Sequence, residues 1–119
     1  MTYTIHRWDT LAVDHPMDLI DRRRVIGERM MISHVTLHRG FRVAPHRHDN
    51  EQITVLLSGR LRFTLGEEGA TEIRDMVAGE VLHLPGDVRH GAEALETCVV
   101  LDLFSPVSQT TGVDARSGD

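Results

Sequence analysis

Residues 60–66 read RLRFTLG, and the apolar side chains fall at every second place. Leu61, Phe63 and Leu65 share one face of an extended chain, and Arg60, Arg62 and Thr64 share the other. A period of two belongs to a strand with one buried and one wet face, and a helix cannot gather such a set on one stripe. Other short runs follow the same habit: MMISHVTL (30–37), ITVLLSG (53–59), TEIRDMV (71–77), GEVLHLP (79–85) and LETCVVLDLFSP (95–106). Turn residues separate them, as in GEEGA and GDVRHG. Many short strands at close intervals predict an all-β sandwich or barrel. The SGR link at 58–60 is a candidate tight hairpin. Helical periodicity is confined to residues 14–21, where a short helical turn is expected.

At 119 residues the chain suffices for one core and is too short for two. A single domain is expected over residues 1–107, with its barrel core from about 28 to 107 and a loose polar tail over 108–119. Aromatic residues make up only 4%, so the core must be built from Val, Leu, Ile and Met.

A net charge of −5 opposes non-specific nucleic-acid binding, which needs a positive surface. Arg22, Arg23 and Arg24 are the one basic run and read as a solvated face or strand start, although one of them could serve an anionic ligand. Cys98, the only cysteine, sits in an apolar run and is expected to be a buried, inert thiol. Nothing in MTYTIHRWDT resembles a signal segment, and no window approaches the roughly 20 apolar residues of a membrane span. A cytoplasmic location is the expectation. An edge strand of such a barrel needs covering, which residues 1–26, with Trp8 and Leu11, can supply within or between subunits; a homodimer is expected.

The stretch PHRHDNEQITVLLSG (45–59) carries the most chemistry. One residue separates His46 from His48, so on an extended chain both side chains project to one face. Gln52 keeps that parity and Glu51 does not. His90, in the loop after residues 79–85, could be brought alongside by a neighbouring strand of a closed barrel. Three imidazoles and one amide oxygen suit a divalent cation such as Zn, Ni, Fe or Mn. The same stretch also reads as a histidine-rich polar turn, and spacing alone leaves both readings open.

Of the other histidines, His34 and His38 read as facing solvent or bonding within the sheet, with the barrel interior as the alternative. His83, between Leu82 and Leu84, is an alternating strand position, and His6 and His15 are surface groups. Asp102 has the parity of Val100 and Phe104 in an apolar run. A carboxylate embedded there should be paired or carry a raised pKa. From the residues alone it reads as an ion pair or a hydrogen bond to a loop, and Phe104 as core.

Gly40, five residues, His46, one, His48, three, Gln52, six, Gly59 resembles the first cupin motif, with Gln where that motif usually carries Glu. Gly79, five residues, Pro85, four, His90 resembles the second, with glycine at Gly86 one place early, Asp87 in its usual slot and Ala94 where Asn is common. The resemblance implies a jelly-roll barrel of antiparallel strands. HRHDNEQITVLLSGRLRFTLG with HGAEALETCVVLDLFSP is similar, more closely, to KdgF and its cupin relatives of pectin degradation. That likeness implies one divalent metal on His46, His48, Gln52 and His90. It also implies conversion of unsaturated uronate monosaccharides to linear keto forms, with Asp102 as the catalytic carboxylate and Phe104 beside it.

An arginine common in that family after the LDxFSP segment is absent here, where the chain reads Pro106, Val107, Ser108. Arg42, Arg60, Arg62 and Arg89 are the cations left for a substrate carboxylate. An amide in place of a carboxylate leaves the metal's charge to act outward, which favours Lewis-acid work on a small sugar acid. A metal-dependent dioxygenase and a non-catalytic small-molecule-binding cupin are the alternatives.

Overall fold

In a computed structural model, which describes residues 2–108 and 111–114, the alternating runs become strands. These are β1 (Ile20–Ile26), β2 (Met31–Leu37), β3 (Arg42–His46), β4 (Glu51–Ser58), β5 (Arg60–Leu65), β6 (Glu72–Val77), β7 (Val81–Leu84), β8 (His90–Ala94) and β9 (Cys98–Ser105). They pair antiparallel in two sheets, ordered β1-β2-β9-β4-β7 and β3-β8-β5-β6. The result is an all-β jelly roll, the fold that the resemblance implies. Ile20, Val35, Leu56 and Val100 face inward from the first sheet, and Leu61, Phe63, Met76 and Ala94 from the second. Phe41 fills the space at one end. Each fully buried aliphatic side chain contributes about 1.5–3 kcal/mol, so this shared interior is what holds the sheets together.

The SGR link is not a hairpin. β4 belongs to the first sheet and β5 to the second, so the chain turns a corner at Gly59. Gly59 has φ of +91°, and a Cβ there would meet the Thr97 carbonyl and stand 2.9 Å from Cys98 Sγ. Only glycine fits so close a crossing. The Cys98 thiol donates to the Arg60 carbonyl at 3.1 Å, and burial pushes its pKa up, as suits an inert structural thiol.

Nor do residues 14–21 form a helical turn. Asp14 exchanges both backbone hydrogen bonds with Arg22, at 2.8 and 2.9 Å, and Leu19 stands at φ +67°. Pro16 has no N–H to give a helix, and the segment instead leads into β1. The first sheet therefore begins at Ile20, ahead of the core expected from residue 28. The arginine run lies on this strand, and Arg22 is only 4% exposed rather than solvated. Further along, Thr111 and Gly112 are buried, and the 3-10 turn Gly112–Asp114 packs back against β3. Residues 111–114 of the tail expected over 108–119 are thus packed on the domain, and residues 109–110 and 115–119 lie outside the described residues. No helix among the described residues is long and apolar enough to cross a membrane.

Candidate metal centre

β3 and β8 bring the first two ligand candidates together. His46 ends β3, His90 begins β8, and the two stand opposite each other in the ladder. The register shifts between Val43 and His46, and Gly91 makes room: a Cβ there would lie 2.9 Å from Pro45 N and 3.0 Å from the Val43 carbonyl. His48 follows in the loop before β4, and Gln52 lies on β4 with the inward parity of Thr54 and Leu56. His46 and His48 do converge, with ring centroids 5.8 Å apart, and the chain bends only after them, at residues 49–50.

A nitrogen from each of His46, His48 and His90 lies within 4.8 Å of the other two. Their rings are in contact, with centroids 4.4 Å apart for His46 and His90 and 5.1 Å for His48 and His90. Each ring meets a backbone carbonyl through Nδ1: Ala44 at 2.8 Å from His46, Asn50 at 3.2 Å from His48, Val88 at 2.8 Å from His90. A carbonyl only accepts, so Nδ1 carries the proton in all three rings and Nε2 keeps its lone pair. Three lone pairs on one small volume are a donor set that could hold a metal ion.

Gln52 completes the wall. Its Oε1 stands 3.1 Å from His48 Nε2, while its Nε2 donates to Thr54 Oγ1 at 2.9 Å and to Asp102 Oδ1 at 3.3 Å. Those acceptors fix the amide so that its oxygen faces the imidazoles. Thr54 in turn donates its hydroxyl to Asp102 Oδ1 at 2.6 Å. Thr54 joins the site unforeseen from spacing to the histidines, and its parity with Gln52 on β4 is the one local signal of it.

Burial shapes the electrostatics. Desolvation lowers His90 to about 4, and repulsion from His46 and His48 adds to it against the Val88 hydrogen bond. His46 is lowered too, chiefly by burial. Desolvation raises Asp102 above the usual carboxylate range, opposed by the hydrogen bonds from Thr54 and Gln52. A depressed histidine means that the unfolded chain takes up protons first, so the fold loses stability as pH falls from about 6.5 towards 4. For metal-free protein, His90 should account for a loss on the order of 3 kcal/mol across that window. Asp102 opposes the slope, because a raised carboxyl gains from protonation. The contribution of His90 is therefore read as the difference between the chain and its His90→Gln variant in denaturant titrations at pH 7 and pH 4.5. Parallel pH dependences in the two proteins would remove it.

The remaining histidines stay out of the cluster. His38 Nε2 meets Asp21 at 2.8 Å, His15 meets the same carboxylate at 3.0 Å, His83 meets Glu51 at 2.6 Å, and His34 packs beside Trp8. Phe104 is buried, with its ring 5.8 Å from that of His48. A cavity of about 60 Å³ joins His46, Gln52, His90, Asp102 and Phe104. Of the described arginines only Arg22 lines it; Arg42, Arg60, Arg62 and Arg89 do not.

A profile of the cupin domain matches residues 33–104. Among solved structures, KdgF from Halomonas sp. is 30% identical, with a TM-score of 0.74 over 84% of this chain and 92% of that one. An RmlC-like cupin from Shewanella frigidimarina is 17% identical, with a TM-score of 0.78 over 91% of this chain and 95% of the other. Oxalate decarboxylase OxdC from Bacillus subtilis is 20% identical, with a TM-score of 0.75 over 92% of this chain but 32% of its own length. The last two likenesses speak to fold alone. No curated protein matches the chain.

Proposed function

This chain belongs to the cupin family, and we propose that it opens the ring of unsaturated uronate monosaccharides at a divalent metal held by His46, His48, Gln52 and His90. The observation that carries the reading is the set of three Nδ1 tethers, which leave three imidazole lone pairs and the Gln52 oxygen around one point. Such a donor set fits Zn, Ni, Fe or Mn, and the bound ion would supply Lewis-acid polarisation of a ligand oxygen.

The chain's own residues do the rest. The reaction is an isomerisation: the anomeric hydroxyl loses a proton, the bond from the anomeric carbon to the ring oxygen breaks, and the distal alkene carbon gains a proton as its neighbour becomes a ketone. Asp102 is the group suited to move that proton. Thr54 and Gln52 both engage its Oδ1, which leaves Oδ2 without a hydrogen bond among the described residues. Burial raises its pKa, which favours the neutral, proton-donating form. Phe104 forms an apolar wall beside His48 and keeps water from that side.

A cytoplasmic homodimer accompanies this reading. Val77 on β6 and Val81 on β7 are half-exposed where these strands end their sheets, and a second copy would cover them. The test is elemental analysis of protein purified without chelator or histidine tag, followed by ultraviolet detection of the ring alkene in unsaturated galacturonate and mannuronate. One metal per chain and accelerated loss of the alkene are expected. A metal-loaded protein that leaves both sugars at the rate of buffer alone would end the proposal.

A further inference from the structure

The cavity beside the histidines contains one buried cation that the ring-opening reading does not use. Arg22 has the inward parity of Ile20 on β1 and is 4% exposed. Its guanidinium is gripped from two sides. Asp14 takes Nε at 2.9 Å and Nη2 at 2.7 Å; Asp114 takes Nη1 and Nη2, both at 2.9 Å. The second grip is the end-on fork by which an arginine receives a free carboxylate.

Asp114 reaches Arg22 from a three-residue turn, held in shape by the Thr111 N–H at 3.1 Å from its Oδ2. Thr111, Gly112 and Val113 line the same cavity as His46, Gln52 and Asp102. Gly112 lies so close to the Nε2 edge of His46 that no side chain would fit there. With this turn in place the cavity measures about 60 Å³. That is room for a few waters, against the roughly 300–1,000 Å³ of pockets that enclose drug-sized ligands. A sugar acid is larger than this, so part of the lining must give way to admit one, and withdrawal of this turn would uncover the forked face of Arg22.

We propose that Arg22 is the residue that recognises the ligand's carboxylate, and that Asp114 occupies this position until a ligand carboxylate displaces it. The inference rests on the uronate reading for the class of ligand alone. It replaces the arginine missing after LDxFSP with one on a different strand. Asp14 also accepts from Arg24 Nη2 at 3.5 Å, and it stays on Arg22 when Asp114 leaves, so Arg22 keeps one protein carboxylate once a ligand is bound.

The experiment measures binding, not turnover: calorimetry of the full-length protein as purified, with D-galacturonate as the anionic probe and methyl galactoside as the neutral one. Removing the competing carboxylate by Asp114→Asn should tighten galacturonate binding at least about tenfold, because the closed state taxes affinity by its population. Methyl galactoside should gain far less. Arg22→Gln alone takes the fork away from Asp114, leaves Asp14 with only the longer contact from Arg24, and endangers the fold. The double variant Arg22→Gln/Asp114→Asn, checked by thermal melting, therefore carries the charge test and should lose the gain. Unchanged or undetectable galacturonate binding by Asp114→Asn overturns the proposal, as does an equal gain for the neutral sugar or full binding by the double variant. Tight galacturonate binding without alkene turnover would sink the ring-opening reading and leave this one standing. Turnover with no effect of Asp114→Asn would do the reverse.

Discussion

Asp102→Asn is expected to cut turnover of unsaturated uronate by about 10²–10⁴-fold, the range typical of a lost general acid or base. The substitution is close to isosteric. An asparagine oxygen would still accept from Thr54 Oγ1 and Gln52 Nε2, now at 2.6 and 3.3 Å from Asp102 Oδ1. Gln52 would thus keep its amide oxygen towards His48, and the cation site would be undisturbed. What disappears is a titrating group in a desolvated place, where burial raises the carboxyl pKa and hydrogen bonds moderate it. Metal content should stay at the level of the unchanged chain, which separates a proton-transfer role from a role in building the site. An Asn variant with full activity would return Asp102 to a structural hydrogen-bond acceptor.

The features legible in the sequence were those that local spacing encodes. Period two in RLRFTLG gave β5 because each of its faces meets a different medium. His46, His48 and Gln52 lie within seven residues, and the motif carrying His90 runs over only twelve, Gly79 to His90. Asp102 stood out because a charge in an apolar run demands a reason. What was hidden depends on distant partners. A glycine between two strands looks alike in a hairpin and at a corner, and only sheet membership shows that Gly59 turns a corner. Three consecutive arginines read as a solvated face because nothing nearby reveals that Arg22 is buried. Its partner Asp114 lies 92 residues along the chain, in a stretch whose polarity suggested a tail. Ion pairs of that separation leave no local pattern.

Gln52→Glu is expected to hold metal more tightly than the unchanged chain and yet to lose turnover by roughly 10²-fold, a loss within the range of disrupted acid–base catalysis. The amide serves two masters. Its oxygen faces His48, and its nitrogen donates to Thr54 Oγ1 at 2.9 Å and to Asp102 Oδ1 at 3.3 Å. A carboxylate at this position keeps an oxygen for the cation and adds a negative charge, so affinity for a divalent ion rises while the ion's outward polarising power falls. The other oxygen then stands about where the donor stood, beside Asp102. Two carboxyl groups at that spacing cannot both ionise, and one must retain a proton. Asp102, already raised by burial, is pushed further up and loses the donor that moderated it. It then gives up its proton less readily, and the activity that remains should move to higher pH. Chelator competition with a coloured indicator reads the affinity, and a pH profile of alkene loss reads the shift. A Glu variant with unchanged rate and profile would show that the amide nitrogen does not tune Asp102, and that the neutral ligand is incidental to the chemistry.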